Sequence, residues 1–185
     1  MFEKFYPDLV LDKVQDIDLE MAREKGIKGF LLDIDNTLVP HGKEADDSAI
    51  AWIEGLKAGG FKVCIVSNAS NTRVIKFNER LQVHAIHRAS KPGTKAFIKA
   101  LKLMNLDPSE AAVVGDQIFT DIYGGNKLDL YTILVMPIDK RELFFIKFKR
   151  VAEKFVLQKY KRDHKIRSSI RTRWKRQSAS KKYIR

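Results

Sequence analysis

The sequence predicts an α/β fold, a doubly wound parallel sheet with helices on both faces, and three observations carry that reading. Short apolar runs alternate with amphipathic helical stretches through residues 24 to 138, the pattern of strands joined by helical crossovers. Polar residues follow those runs directly, at Asp33, Ser67 and Asp116, and in open parallel sheets ligands bind at the carboxyl ends of the strands. The chain has 185 residues and is 44% hydrophobic, enough for one domain with a real core plus an appendage.

Each element follows from a local signal. Residues 16–25 read as a short helix with an aspartate as N-cap and Gly26 as its stop. A strand follows at 28–34. Ile50, Ile53 and Leu56 recur at helical spacing over 46–58, and Gly59-Gly60 ends that helix. A second strand spans 61–66 and a helix 71–81. A short strand at Val83–Ile86 leads through His87 to Lys91. Phe97, Ile98, Leu101 and Met104 give the apolar stripe of a helix over 94–104. Asp107-Pro108-Ser109 makes a turn before a strand at 111–115. A short helix precedes Gly124-Gly125, and Leu130–Val135 is the last strand.

Composition bounds the setting. The single cysteine, Cys64, excludes an internal disulfide framework and suits a reducing, cytoplasmic environment. It lies in an apolar strand and reads as a small buried hydrophobe. The start, Met1-Phe2-Glu3-Lys4, carries no signal-peptide pattern, and no apolar run approaches a membrane span. Net charge is +12 but unevenly placed. Residues 140–185 hold 18 Lys and Arg against Glu142, Glu153 and Asp163, or +15, whereas residues 1–139 hold 17 bases and 20 acids, or −3. The boundary therefore falls between a mildly acidic domain, 1–140, and a basic arm, 141–185. Such asymmetry points to an anionic partner, nucleic acid or a membrane surface.

The chemistry begins at Phe30-Leu31-Leu32-Asp33-Ile34-Asp35-Asn36-Thr37-Leu38-Val39. In extended chain, residues two apart point to the same side, so Asp33 and Asp35 emerge together. Adjacent carboxylates repel unless a cation or a shared proton relieves them. Mg²⁺ suits the pair, because it takes oxygen ligands and is commonly held by one or two carboxylates plus a substrate phosphate. Three further signals follow in order: Val66-Ser67-Asn68, Lys91-Pro92, and Gly115-Asp116-Gln117 through Thr120-Asp121. Taken singly, Ser67 reads equally as a helix cap and Lys91 as a solvated lysine. His41 reads as a structural or solvated histidine, with lining the entrance as the alternative because it closely follows the first motif. His84 and His87 lack metal-ligand spacing, and Arg73 and Arg88 read as exposed ion-pair partners, with contact to the substrate as the alternative.

These four elements, in this order, resemble the haloacid dehalogenase (HAD) superfamily of phosphotransferases, with Asp33-x-Asp35-x-Thr37 as its first motif, Ser67 its second, Lys91 its third, and Asp116 with Asp121 its fourth. The resemblance implies a Rossmann-like sheet and a phosphatase. Asp33 would be the nucleophile that forms an aspartyl-phosphate, and Asp35 the general acid and base. Lys91 would neutralise the charge on phosphate and nucleophile. Mg²⁺ would be held by the side chains of Asp33 and Asp116 and the backbone carbonyl of Asp35. Ser67 and Asn68 are assigned to substrate binding, with Thr37 and Asp121 in support. Asp33 to Ser67 leaves room for one helix and a short flap, and Ser67 to Lys91 for one helix and one strand. No cap domain fits.

The arm adds a second feature. Phe144, Phe148, Val151 and Phe155 form one stripe on a helix, with Lys147, Arg150 and Lys154 on or beside its polar face. Such a helix either packs on the domain or lies in a membrane interface; beyond Lys161 a polar, basic tail is expected to be disordered. A capless phosphatase with such an arm is similar to the YqeG-type branch of the superfamily, related to mitochondrial phosphatidylglycerophosphate phosphatases. Gly124-Gly125-Asn126 belongs to that likeness. It implies hydrolysis of phosphatidylglycerophosphate to phosphatidylglycerol by an enzyme peripheral on the inner face of a membrane. The alternatives are a phosphatase for nucleic-acid ends or other large soluble phosphoesters, or an RNA- or ribosome-binding protein using the arm. Trp174 amid Arg171, Arg173, Lys175 and Arg176 favours nucleic acid; an intact acid set favours an enzyme. An oligomer would be one way to close an uncapped site.

Overall fold

In the computed structural model, the described residues are 2–139 and 151–163. The chain divides into two compact units, Met1–Leu143 and Phe144–Arg185.

The first unit is a six-stranded sheet in the order β1-β6-β5-β2-β3-β4, with every neighbouring pair parallel. The strands are β1 (Leu9–Leu11), β2 (Gly29–Leu32), β3 (Lys62–Val66), β4 (His84–Ile86), β5 (Ala111–Gly115) and β6 (Tyr131–Val135). Helices α1 (Leu19–Glu24), α2 (Asp47–Ala58), α3 (Asn71–Asn78), α4 (Lys95–Met104) and α5 (Tyr123–Asn126) connect them. β2 is central: the chain runs outward through β3 and β4 on one side, then returns to build β5 and β6 on the other, where β1, formed first, lies at the edge beyond β6. The carboxyl end of β2 therefore lies where the strand order reverses, the place such sheets reserve for ligands.

Alternation along the strands builds two cores. Phe30 and Leu32 of β2 join Val63, Ile65, Ala112 and Val114 in a core covered by Ile53 and Leu56 of α2 and Val74 and Phe77 of α3. Leu31 points to the other face, where Cys64 and Val113 pack with Phe97, Ala100, Leu101 and Met104 of α4. This is the two-residue period of a strand buried on both faces. Burial pushes the Cys64 thiol up to about 12, as suits an inert packing residue.

Helix starts are set by side-chain caps. Asp18 accepts from the N–H groups of Glu20 and Met21, Asp46 from Ala49, and Ser70 from Arg73, each satisfying donors that lack intrahelical partners.

The structure departs from the sequence-based expectations in four places. β1 was not foreseen; it is three half-buried residues on one edge, paired with β6, too short to show a period. The helix expected over 71–81 stops at Asn78, and the chain turns through Gln82, which has φ 51°. Ile98, expected on the stripe of α4, is exposed, while Ala96 and Ala100 are buried in its stead. Gly124-Gly125 do not end a helix. A π-helical turn, Ile118–Ile122, runs directly into α5, which contains both glycines. A β-carbon at Gly124 would lie 2.6 Å from the Phe97 ring, and one at Gly125 2.4 Å from Val113 Cγ1, so close packing rather than helix termination calls for glycine there.

Residues 151–163 of the second unit are helical, with Val151 and Phe155 exposed one turn apart. Phe144, Phe148, Trp174 and the tail lie outside the described residues. Among the described residues no helix is long and apolar enough to cross a membrane.

Candidate active site

Five of the residues singled out by sequence lie at the carboxyl edge of the sheet. Asp33 directly follows β2, its N–H still donating to the Val114 carbonyl at 3.0 Å. Asp116 directly follows β5, and Ser67 directly follows β3, with its N–H on the Ile86 carbonyl at 3.0 Å. Lys91 comes from the loop between β4 and α4, and Asp121 from the π-helical turn. All five are buried.

Lys91 is the hub. Its Nζ donates to Asp33 Oδ1 at 2.7 Å and to Asp121 Oδ1 at 2.5 Å. Burial by itself would lower the Lys91 ammonium, but Asp121 and then Asp33 outweigh it and hold it above the ordinary lysine range. It remains charged. The backbone of Lys91 is fixed by Asn68, whose Oδ1 accepts from the Lys91 N–H at 2.8 Å and whose Nδ2 donates to its carbonyl at 3.3 Å.

Asp33, Asp116 and Asp121 place carboxylate oxygens within 4.8 Å of one another. Burial pushes the Asp33 carboxyl up to about 6; Lys91 pulls the other way, and Asp121 and Asp35 add to the rise. Lys91 brings one positive charge against three carboxylates, so the cluster suits a further cation. Thr37 donates its hydroxyl to Asp116 Oδ1 at 3.4 Å. Asp121 is engaged on both sides, because its Oδ2 accepts from Thr120 Oγ1 at 3.1 Å and the Gln117 N–H at 3.3 Å.

Asp35 is not part of this acidic cluster. The chain turns sharply after it at Asn36, which has φ 64°, and folds back as a loop over residues 40–43. Asp35 Oδ1 accepts from the Gly42 N–H at 2.8 Å and from Arg73 Nη2 at 3.0 Å. His41 Nδ1 stands 3.8 Å away and is largely exposed.

Two expectations change here. Ser67 is not the cap of α3; that role falls to Ser70, three residues later, and the Ser67 hydroxyl accepts from the Ala69 N–H at 3.2 Å. Arg73 is not an exposed surface partner. Its side chain is only 16% accessible, and its guanidinium lies over the Phe77 ring, 5.3 Å from the centroid. Sequence reasoning quoted Gly115 beside Asp116 but gave it no role; its lack of a side chain admits Asp121. A cavity of about 690 Å³ at the amino ends of β2, β3 and β5 is remote from this chemistry. Its Lys28, Lys62 and Arg23 are already engaged by Glu110 and the carbonyls of Met104 and Gly59.

Comparison with known proteins agrees with this geometry. The family model described as mitochondrial PGP phosphatase matches residues 2–138. The "Probable phosphatase YqeG" of Bacillus subtilis is 39% identical over 164 residues, spanning 88% of this chain and 95% of that protein. The "Phosphatidylglycerophosphate phosphatase 1, chloroplastic/mitochondrial" of Arabidopsis thaliana is 29% identical over 188 residues, 89% of this chain but 52% of that longer protein. An uncharacterized protein from Listeria monocytogenes shares the fold, with a TM-score of 0.50 at 20% identity over 63% of this chain and 85% of that one. With Asp33, Ser67, Lys91 and Asp116 gathered at one sheet edge, the chain belongs to the mitochondrial PGP phosphatase family and is a phosphatase of the haloacid dehalogenase superfamily.

Proposed function

We propose that this phosphatase hydrolyses phosphatidylglycerophosphate to phosphatidylglycerol, using Mg²⁺ and an aspartyl-phosphate on Asp33. The observation that carries the chemistry is the buried contact of Lys91 with Asp33 and Asp121. The lipid substrate is supported by the matched family and by the Arabidopsis relative, which is named for that activity.

A phosphomonoester dianion repels an anionic nucleophile, so catalysis depends on positioning and charge neutralisation. Asp33 and Asp116 would hold Mg²⁺ by their side chains, with the Asp35 carbonyl added by family analogy. Asp121 has both oxygens committed and anchors Lys91 instead. When bound, the ion supplies positive charge that lets nucleophile and phosphate approach while both stay ionised. A carboxylate oxygen of Asp33 forms a bond to phosphorus as the bond to the alcohol breaks, and Asp35 gives that alcohol oxygen a proton. Water then attacks phosphorus, Asp35 takes its proton, and inorganic phosphate leaves a free Asp33. Lys91 balances charge throughout, and Ser67 with Asn68 completes the phosphate end.

Among the described residues no cap domain separates the motifs, which suits a bulky headgroup, and the basic arm suits an anionic leaflet, where each Lys or Arg near the surface contributes about 1 kcal/mol. Peripheral residence on the inner face of a membrane follows. A phosphate-release panel tests the substrate: phosphatidylglycerophosphate in mixed micelles, soluble sugar phosphates and phosphorylated oligonucleotides. The lipid is expected to be preferred, with Mg²⁺ required and Ca²⁺ inhibitory, since calcium takes more ligands at longer distances and spoils in-line geometry. Full activity in excess chelator removes the metal, and a preference for oligonucleotide ends moves the substrate to nucleic acid.

A further inference from the structure

We propose that Arg73 is a substrate-binding residue that reads a second anionic group on the leaving alcohol, so that the enzyme selects phosphomonoesters carrying another phosphate a few atoms from the scissile one. This rests on the assignment of Asp35 as the proton donor to that alcohol.

The two cations that touch the aspartates of the first motif stand at different ends of the site. Lys91 holds Asp33 and Asp121, the end where phosphorus is attacked. Arg73 holds Asp35, the end where the alcohol departs. Its Nη2 is 3.0 Å from Asp35 Oδ1, and a proton donor lies within about 2.8 Å of the oxygen it serves. Whichever oxygen of Asp35 carries the proton, Arg73 therefore sits within about 8 Å of the leaving oxygen. Groups on the alcohol, rather than the scissile phosphate, fall within its reach.

The guanidinium is also held ready. The Phe77 ring lies beneath it, and Nη2 alone makes its contacts with Asp35 and the Lys43 carbonyl. Nε is buried with no hydrogen-bond partner among the described residues. Because Nε is enclosed, a second anion would be met by the Nη end of the guanidinium, whose planar fork matches phosphate oxygens in pairs. In phosphatidylglycerophosphate the leaving alcohol bears a phosphodiester across a three-carbon spacer, which places an anion at this end.

The test uses the full chain and two soluble substrates, so that membrane binding plays no part. One is glycerophosphoglycerol phosphate, the deacylated lipid headgroup; the other is glycerol phosphate, which lacks the second anion. Wild type is expected to favour the first in kcat/KM, and Arg73→Gln to lower that ratio about tenfold, mainly through KM, the size of one charge-assisted hydrogen bond. Effects common to both substrates cancel in the ratio. Arg73→Lys, which keeps the charge but not the fork, is expected to fall between, and serves if the glutamine variant does not fold. Equal losses on both substrates in both variants would make Arg73 a brace for the 40–43 loop and overturn the proposal, as would a wild type with no preference. Either result leaves the lipid assignment standing if micellar lipid is hydrolysed. Conversely, a wild type that ignores the lipid headgroup but prefers a sugar bisphosphate, with the same dependence on Arg73, supports the second-anion site and removes the lipid.

Discussion

A β-carbon on Gly115 would lie 2.2 Å from Cγ of Asp121 and 2.5 Å from its Oδ2. The last residue of β5 therefore has no side chain because the carboxylate that anchors Lys91 occupies that space. Gly115 has no unusual backbone angle; the constraint is contact, not conformation.

Gly115→Ala is expected to push Asp121 away from Lys91 Nζ while the rest of β5 keeps its pairing. Overpacking of this kind costs about 1–3 kcal/mol, measurable as a lowered midpoint in urea. Turnover should fall more steeply than stability, because Lys91 loses one of the two carboxylates that fix it. Wild-type phosphate release by a folded Gly115→Ala protein would show that Asp121 does not position Lys91.

The raised Asp33 pKa predicts a pH dependence of stability in chelator. An acid whose folded value, about 6, lies above its ordinary 3.8 binds its proton more tightly in the folded state. Between those values the folded state holds more protons, so the contribution of Asp33 to stability falls as pH rises from about 4 to about 6. A rise of about two units corresponds to about 3 kcal/mol. Lys91, held above 10.5, stays charged through this window and adds no slope. Asp33→Asn removes the titration, so that variant should gain on wild type by an amount of that order between pH 4 and pH 6.5. Excess Mg²⁺ should shrink the gain by favouring ionised Asp33. A pH-independent difference between the two proteins would contradict the buried setting of Asp33.

Much of this was legible in the sequence, for a physical reason. Asp33, Ser67 and Asp116 each stop an apolar run, and a parallel sheet necessarily brings such strand ends to one edge. What escaped depended on tertiary contact. β1 is three residues whose one ladder among the described residues is with β6. Ile98 sits one step round α4 from Phe97, so spacing alone could not decide between it and the small buried Ala96 and Ala100. Arg73 gains its meaning from Asp35, 38 positions earlier, and no local pattern joins them. Gly124 and Gly125 looked like a helix stop because glycine more often ends helices, whereas here Phe97 and Val113 leave no room for a β-carbon.

The basic arm yields a separate expectation. Residues 164–185 contain nine Lys and Arg and no acid. Removing them should weaken binding to anionic vesicles, with a smaller salt dependence than wild type, because surface attraction is screened within about 10 Å at 0.1 M salt. Hydrolysis of a small soluble ester should survive, since the proposed catalytic groups all lie at or before Asp121. Sedimentation with phosphatidylglycerol-containing vesicles reads the outcome. Unchanged vesicle binding would remove the tail from membrane attachment, and tight RNA binding without vesicle binding would reassign it to nucleic acid.

Asp33→Asn, assayed for phosphate release from micellar phosphatidylglycerophosphate with Mg²⁺, tests the central claim most directly. The amide preserves size and replaces the nucleophile with a neutral group, so thermal unfolding should remain cooperative while turnover drops to background. Mass spectrometry of acid-quenched wild type should find phosphate on the peptide containing Asp33, and none on the variant. Wild-type turnover by Asp33→Asn, or phosphate carried on another residue, would contradict an aspartyl-phosphatase built on Asp33.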